Sequence, residues 1–89
     1  VKILEALSRG LPVVTTTLGC EGIMVTDGQH VLIADTPRDF AQAVLRVLND
    51  PALSTALVQN GRRQVETIYD YRAACRALEQ AYGVPSVQL

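Results

Sequence analysis

Residues 2–16 read Lys2-Ile3-Leu4-Glu5-Ala6-Leu7-Ser8-Arg9-Gly10-Leu11-Pro12-Val13-Val14-Thr15-Thr16, and this stretch decides the fold. Its opening residues carry helical periodicity, with Ile3, Ala6 and Leu7 on one face at i, i+3, i+4 spacing. Gly10 supplies a left-handed residue to end that helix, and Pro12 cannot extend it. Val13-Val14-Thr15-Thr16-Thr17 then forms a β-branched run with no alternation. Such a run suits a strand buried on both faces of a parallel sheet.

Working downstream, Leu18-Gly19-Cys20-Glu21-Gly22 reads as a loop, and Ile23-Met24-Val25 as a short strand or a buried turn. Thr26-Asp27-Gly28-Gln29 is a turn signal, after which residues 30–34 form a second buried strand that Asp35 ends. Thr36-Pro37-Arg38-Asp39 starts a helix: Thr36 caps it and Pro37 suits its first turn. Phe40, Val44, Val47 and Leu48 give that helix an apolar stripe.

Asn49-Asp50-Pro51 breaks the chain into a further helix that buries Leu53, Ala56 and Leu57, and Asn60-Gly61 is expected to close it. A third stretch carries Val65, Ile68 and Tyr69. A fourth covers residues 70–82, with Tyr71, Ala74, Leu78 and Tyr82 facing inward. Gly83 and Pro85 end it, and residues 84–89 read as a frayed tail. The expected class is α/β, a short parallel sheet with flanking helices across residues 1–83.

Two strands alone leave open edges on both sides. Helical pattern also begins at Lys2 with no capping residue before it. The expectation is a chain that starts inside a helix of a longer parent and self-associates when isolated.

The 89 residues are 48% hydrophobic and 19% charged with a net charge of −1, a globular composition. Lys and Arg are scattered, with only Arg62 and Arg63 adjacent, which argues against nucleic acid as a partner. No apolar run is long enough to span a bilayer. Cys20 and Cys75 lie far apart and lack metal-ligand spacing, so they read as free thiols in a reducing compartment. His30, the single histidine, reads as a strand-edge residue, the tyrosines as packing groups, and Asp27 and Asp35 as turn and cap residues.

Glu5 lies opposite Ile3 and Leu7 on the first helix, three residues after Lys2 and four before Arg9. On spacing alone it is a solvated residue with two ion-pair partners. The 18–22 loop follows a buried strand, and ligands bind at the carboxyl ends of parallel strands. Gly19 and Glu21 are therefore candidates for a ligand contact, with an ordinary tight connection as the plain alternative.

The 2–16 stretch resembles a signature of the retaining glycosyltransferases of family 4, also called glycosyl transferases group 1, which have the GT-B fold. Their pattern is a helix reading Leu-Glu-Ala-(Met/Leu)-small-x-Gly, then x-Pro-Val-Val and a Ser/Thr strand. Gly19-Cys20-Glu21-Gly22 sits where that family has a glycine-rich loop with an acidic residue, departing from its commoner two-glycine form. Asp27-Gly28-Gln29-His30-Val31-Leu32-Ile33-Ala34-Asp35, Asn60-Gly61-Arg62-Arg63 and Tyr69-Asp70-Tyr71 resemble later parts of the same lobe.

The resemblance implies part of a Rossmann-like, donor-binding C-terminal lobe. It implies sugar transfer with retention from a nucleotide-diphosphate sugar, with no metal or other cofactor, in the cytoplasm or at the cytoplasmic face of the membrane. Cell-envelope polysaccharide synthesis is the implied setting. Glu5 matches the second of two glutamates seven residues apart and would accept hydrogen bonds from the donor ribose. The first glutamate, the basic groups and the N-terminal lobe would lie upstream, so the isolated 89 residues are expected to be inactive. Two other readings stand beside this one: a non-catalytic α/β interaction module, and part of a sugar-nucleotide epimerase of the same fold.

Overall fold

A computed structural model describes residues 2–83. In chain order these form α1 (Lys2–Ser8), β1 (Val14–Thr15), β2 (Leu32–Ile33), α2 (Pro37–Asn49) and α3 (Pro51–Tyr82). The two strands are parallel, with Val14 opposite Leu32 and Thr15 opposite Ile33. The class is α/β, as expected. The strands are shorter than the β-branched and apolar runs that contain them, and residues 23–25 form neither helix nor strand.

The sheet is covered on both faces, and the pleat sorts its side chains. Val31 packs in one core with Leu4, Leu7, Val65 and Ile68, joined by Val13 and Ile33. Leu32 and Ala34 pack in the other with Ala43 and Leu57, joined by Val14, Phe40, Val47 and Leu53. Neighbouring strand residues thus serve opposite layers, which is why the sequence shows no polar alternation.

Local signals set the ends of the helices. Gly10 has φ 76°, and its N–H donates to Leu7 O, turning the chain out of α1. Thr36 Oγ1 accepts from Asp39 N at 3.1 Å to cap α2, and Asp50 Oδ1 accepts from Leu53 N at 3.1 Å to cap α3. Ser54 Oγ donates to Val47 O at 2.6 Å and fastens the α2–α3 corner.

Two expectations about the helices need correction. Asn60-Gly61 does not end a helix, because α3 is continuous for 32 residues. Its stripe of Leu53, Leu57, Gly61, Val65 and Ile68 runs without a break from the second core to the first. The burial gained along that stripe outweighs the roughly 1 kcal/mol that glycine costs inside a helix.

Beyond Ile68 the stripe leaves the core. Tyr69, Tyr71, Leu78 and Tyr82 are exposed and Ala74 is exposed too, so the inward-facing aromatic row is not formed among the described residues. At about 1.5 Å per residue α3 spans roughly 48 Å, which accounts for the 49 Å long axis. In α2, Leu48 is likewise 73% exposed, and Ala43 takes the fully buried position.

The sheet has one closed edge and one open edge, not two open ones. Leu32 N and Ala34 N donate to Val13 O and Thr15 O across the pair. On the outer side of β2, Ile33 N donates to Asp27 Oδ1 at 2.8 Å and Val31 O accepts from Gly28 N at 2.8 Å. Residues 27–28 therefore occupy the edge groups of β2, while Val14 of β1 faces away from its partner strand. The frayed tail of residues 84–89 lies outside the described residues.

Candidate functional site

The first candidate is the outward face of α1. Leu4 and Leu7 are buried and fix the helix on the sheet, which turns Glu5 to solvent. The expected ion pairs to Lys2 and Arg9 are not formed. Among the described residues the Glu5 carboxylate has no hydrogen-bond or ion-pair partner. It is an available acceptor on a firmly seated helix.

The seat of α1 comes from α3. A Cβ on Gly61 would stand 2.8 Å from Leu7 Cδ2, so the Leu7 side chain packs directly against the α3 backbone there. One residue on, the Arg62 guanidinium lies over Gly10, with its Nη2 2.5 Å from a Cβ built there. A cation at that place stands near the negative end of the α1 dipole. The adjacent arginines stand out in the sequence, but nothing local indicates that Arg62 closes on Gly10.

The second candidate is the turn after β1, which is anchored residue by residue. Gly19 N donates to Thr16 Oγ1 at 3.0 Å, Cys20 N to Thr16 O at 3.2 Å, and Cys20 Sγ to Thr17 O at 3.5 Å. A Cβ at Gly19 would meet Thr15 Oγ1 at 2.5 Å, so the missing side chain lets the turn fold onto the strand end. Glu21 is exposed, and Cys20 is buried and free.

Thr17 is itself held. Asp35, just past β2, accepts from Thr17 N at 2.7 Å through Oδ1 and from Thr17 Oγ1 at 2.6 Å through Oδ2. These bonds hold the Asp35 carboxyl below its ordinary value of 3.8. Asp35 is thus a cross-strand clamp, and Thr36 is the helix cap. The pairing spans 18 residues and has no sequence signature.

His30 lies in a turn, where its Nδ1 accepts from Thr26 N at 2.9 Å. Partial burial pushes its pKa below 6.5. Gln64 Nε2 donates to Met24 O, tying the 23–25 segment to α3.

No hydrogen bond or ion pair joins Glu5 to the 18–22 turn among the described residues. A polar cleft of about 420 Å³ outside β2 includes Asp27, Asp35, Asp39 and Arg46, but none of Glu5, Gly19 and Glu21. Among the described residues no three His, Cys, Asp or Glu side chains converge as a metal site, and no helix is long and apolar enough to cross a membrane.

A helix whose Glu5 carboxylate has no partner among the described residues leads through Gly10 and Pro12 into a parallel strand and an anchored turn, the arrangement of an α/β domain. The family model for glycosyl transferases group 1 matches residues 1–50, and the chain belongs to that family. It is 31% identical over 81 residues to the "Putative glycosyltransferase YtcC" of Bacillus subtilis strain 168, covering 88% of this chain and 20% of that protein. It is 34% identical over 82 residues to a glycogen synthase of Mycobacterium tuberculosis strain H37Rv, covering 89% of this chain and 20% of the relative. The chain therefore spans about a fifth of the length of these relatives. No solved structure gives a significant match.

Proposed function

We propose that this chain is part of the donor-binding, Rossmann-like lobe of a two-lobed GT-B glycosyltransferase that moves a sugar, with retention, from a nucleotide-diphosphate sugar to an acceptor. The unpartnered Glu5 carboxylate on a fixed helix carries the reading. In this role both of its oxygens accept hydroxyl protons from the donor ribose, as strong charge-assisted bonds. Gly19 and Glu21 border the same donor from the turn after β1. Family membership and relatives named for glycosyl transfer and glycogen synthesis support a transferase.

In this reading the leaving diphosphate is neutralised by basic groups and helix dipoles of the whole enzyme, without a metal. The acceptor is held by the other lobe, and the 89 residues alone carry out no transfer. In this reading the protein works in the cytoplasm.

The test is Glu5→Gln in the full-length enzyme, assayed with a labelled nucleotide sugar. Gln keeps the shape but has only one acceptor oxygen and no charge, so activity is expected to fall about 100-fold while thermal stability holds. A loss of less than about twofold would favour the second reading, an interaction module docking through the open β1 edge and the exposed Tyr71, Leu78 and Tyr82 of α3.

A further inference from the structure

We propose that Asp35 is a positioning residue of the donor site: through its two bonds to Thr17 it sets the pose of the 18–22 turn against the bound nucleotide sugar. The inference rests on the donor-site reading above. Its own foundation is the order of the hydrogen bonds.

The turn has no side-chain hydrogen bond to α1 or α3 among the described residues. Its hydrogen-bonded anchorage to the strand end passes through Thr16 and Thr17. Thr16 takes Gly19 N and Cys20 N, and Thr17 takes Cys20 Sγ. Among the described residues Thr17 in turn is fixed from outside by Asp35, with both carboxylate oxygens engaged at 2.7 and 2.6 Å. The clamp joins the exit of β1 to the exit of β2, the end of a parallel sheet where ligands bind. An ionised carboxylate gripping one N–H and one O–H restricts both rotation and translation of the residue it holds. A neutral amide at 35 keeps one acceptor oxygen for the Thr17 N–H but loses the charge and can no longer accept from the Thr17 hydroxyl through its second atom, so its grip on Thr17 is weaker.

Asp35 touches no donor atom in this proposal. It acts by pre-setting Gly19 and Glu21, so its loss is felt in donor affinity and not in the chemical step.

The experiment compares Asp35→Asn, Thr17→Val and Thr17→Ser in the full-length enzyme, with Glu5→Gln as reference. UDP-glucose, ADP-glucose and GDP-mannose serve as donor probes, with KM and kcat measured separately. Asp35→Asn and Thr17→Val should each raise donor KM about tenfold with kcat within about twofold. Thr17→Ser, which restores the hydroxyl, should recover most of the loss seen in Thr17→Val. The double variant should lose less than the two single losses combined, since both act on the Asp35–Thr17 contact.

Unchanged KM in Asp35→Asn and Thr17→Val, beside a large loss in Glu5→Gln, would overturn the clamp and leave the donor site standing. Unchanged activity in all of them would remove the donor site itself. If Asp35→Asn fails to fold, the Thr17→Val and Thr17→Ser pair decides alone: equal KM values in the two would refute the proposal.

Discussion

Gly61 of α3 faces Leu7 of α1 so closely that a methyl group at 61 would stand 2.8 Å from Leu7 Cδ2. Leu7 is fully buried and has little room to move aside. Gly61→Ala therefore combines two opposed effects. Helix propensity favours alanine by about 1 kcal/mol, while overpacking costs about 1–3 kcal/mol. The expected outcome is a net loss of about 1 kcal/mol in urea unfolding, with Gly61→Val worse. A more stable Gly61→Ala protein would show that Leu7 yields freely.

Leu57 and Leu48 differ although both sit at apolar positions of amphipathic helices. Leu57 is completely buried and Leu48 is 73% exposed. Leu57→Ala is expected to cost about 2–5 kcal/mol, the range for a truncated core leucine. Leu48→Ala should stay within about 0.5 kcal/mol. Comparable losses for the two in denaturant melts would contradict the packing described.

His30 gives stability a dependence on pH. Its folded pKa is lowered by burial below 6.5, so the unfolded chain binds more protons in the window beneath 6.5. Stability is therefore complete above 6.5 and declines as pH falls from there through the folded value. Protonation also ends the acceptance by Nδ1 of the Thr26 N–H. Subtracting the unfolding free energy of His30→Gln, pH by pH, should expose this decline, and NMR of the imidazole should show the lowered pKa. A pKa above 6.5 would reverse the sign and refute the assignment.

The asymmetric sheet governs how isolated chains meet. Asp27 and Gly28 occupy the outer groups of β2, and among the described residues the β1 side is open. The isolated chain is expected to self-associate through β1 and to stop at a pair, because a symmetric contact uses up the edge. Asp27→Ala frees Ile33 N and should shift light scattering towards larger particles. A wild-type chain that stays monomeric at high concentration would rule out pairing through β1.

The parts of this molecule that were legible in the sequence are those set by neighbours in the chain. Gly10 and Pro12 end α1, the β-branched run marks β1, and Thr36 and Asp50 cap their helices through contacts three residues away. Asn60-Gly61 was misleading because a local terminator signal competes there with a stripe that only the folded sheet reveals. Tyr71, Leu78 and Tyr82 follow helical spacing, but spacing does not say whether another layer lies opposite. At the candidate site, Glu5 read from spacing alone as a solvated, ion-paired residue and became a candidate only through the family resemblance, whereas the Asp35–Thr17 clamp and the Arg62 contact with Gly10 join residues far apart in the chain. A single sequence holds no mark of such pairs.

Because α3 contributes Leu57 to one half of the interior and Val65 with Ile68 to the other, neither half has a boundary of its own. Loosening on the α2 side should therefore be felt, through the continuous α3, at the seat of Glu5. The domain should melt as a unit, and substitutions at Leu53 or Leu57, remote from any bound sugar, should weaken the grip of the helix that would hold it.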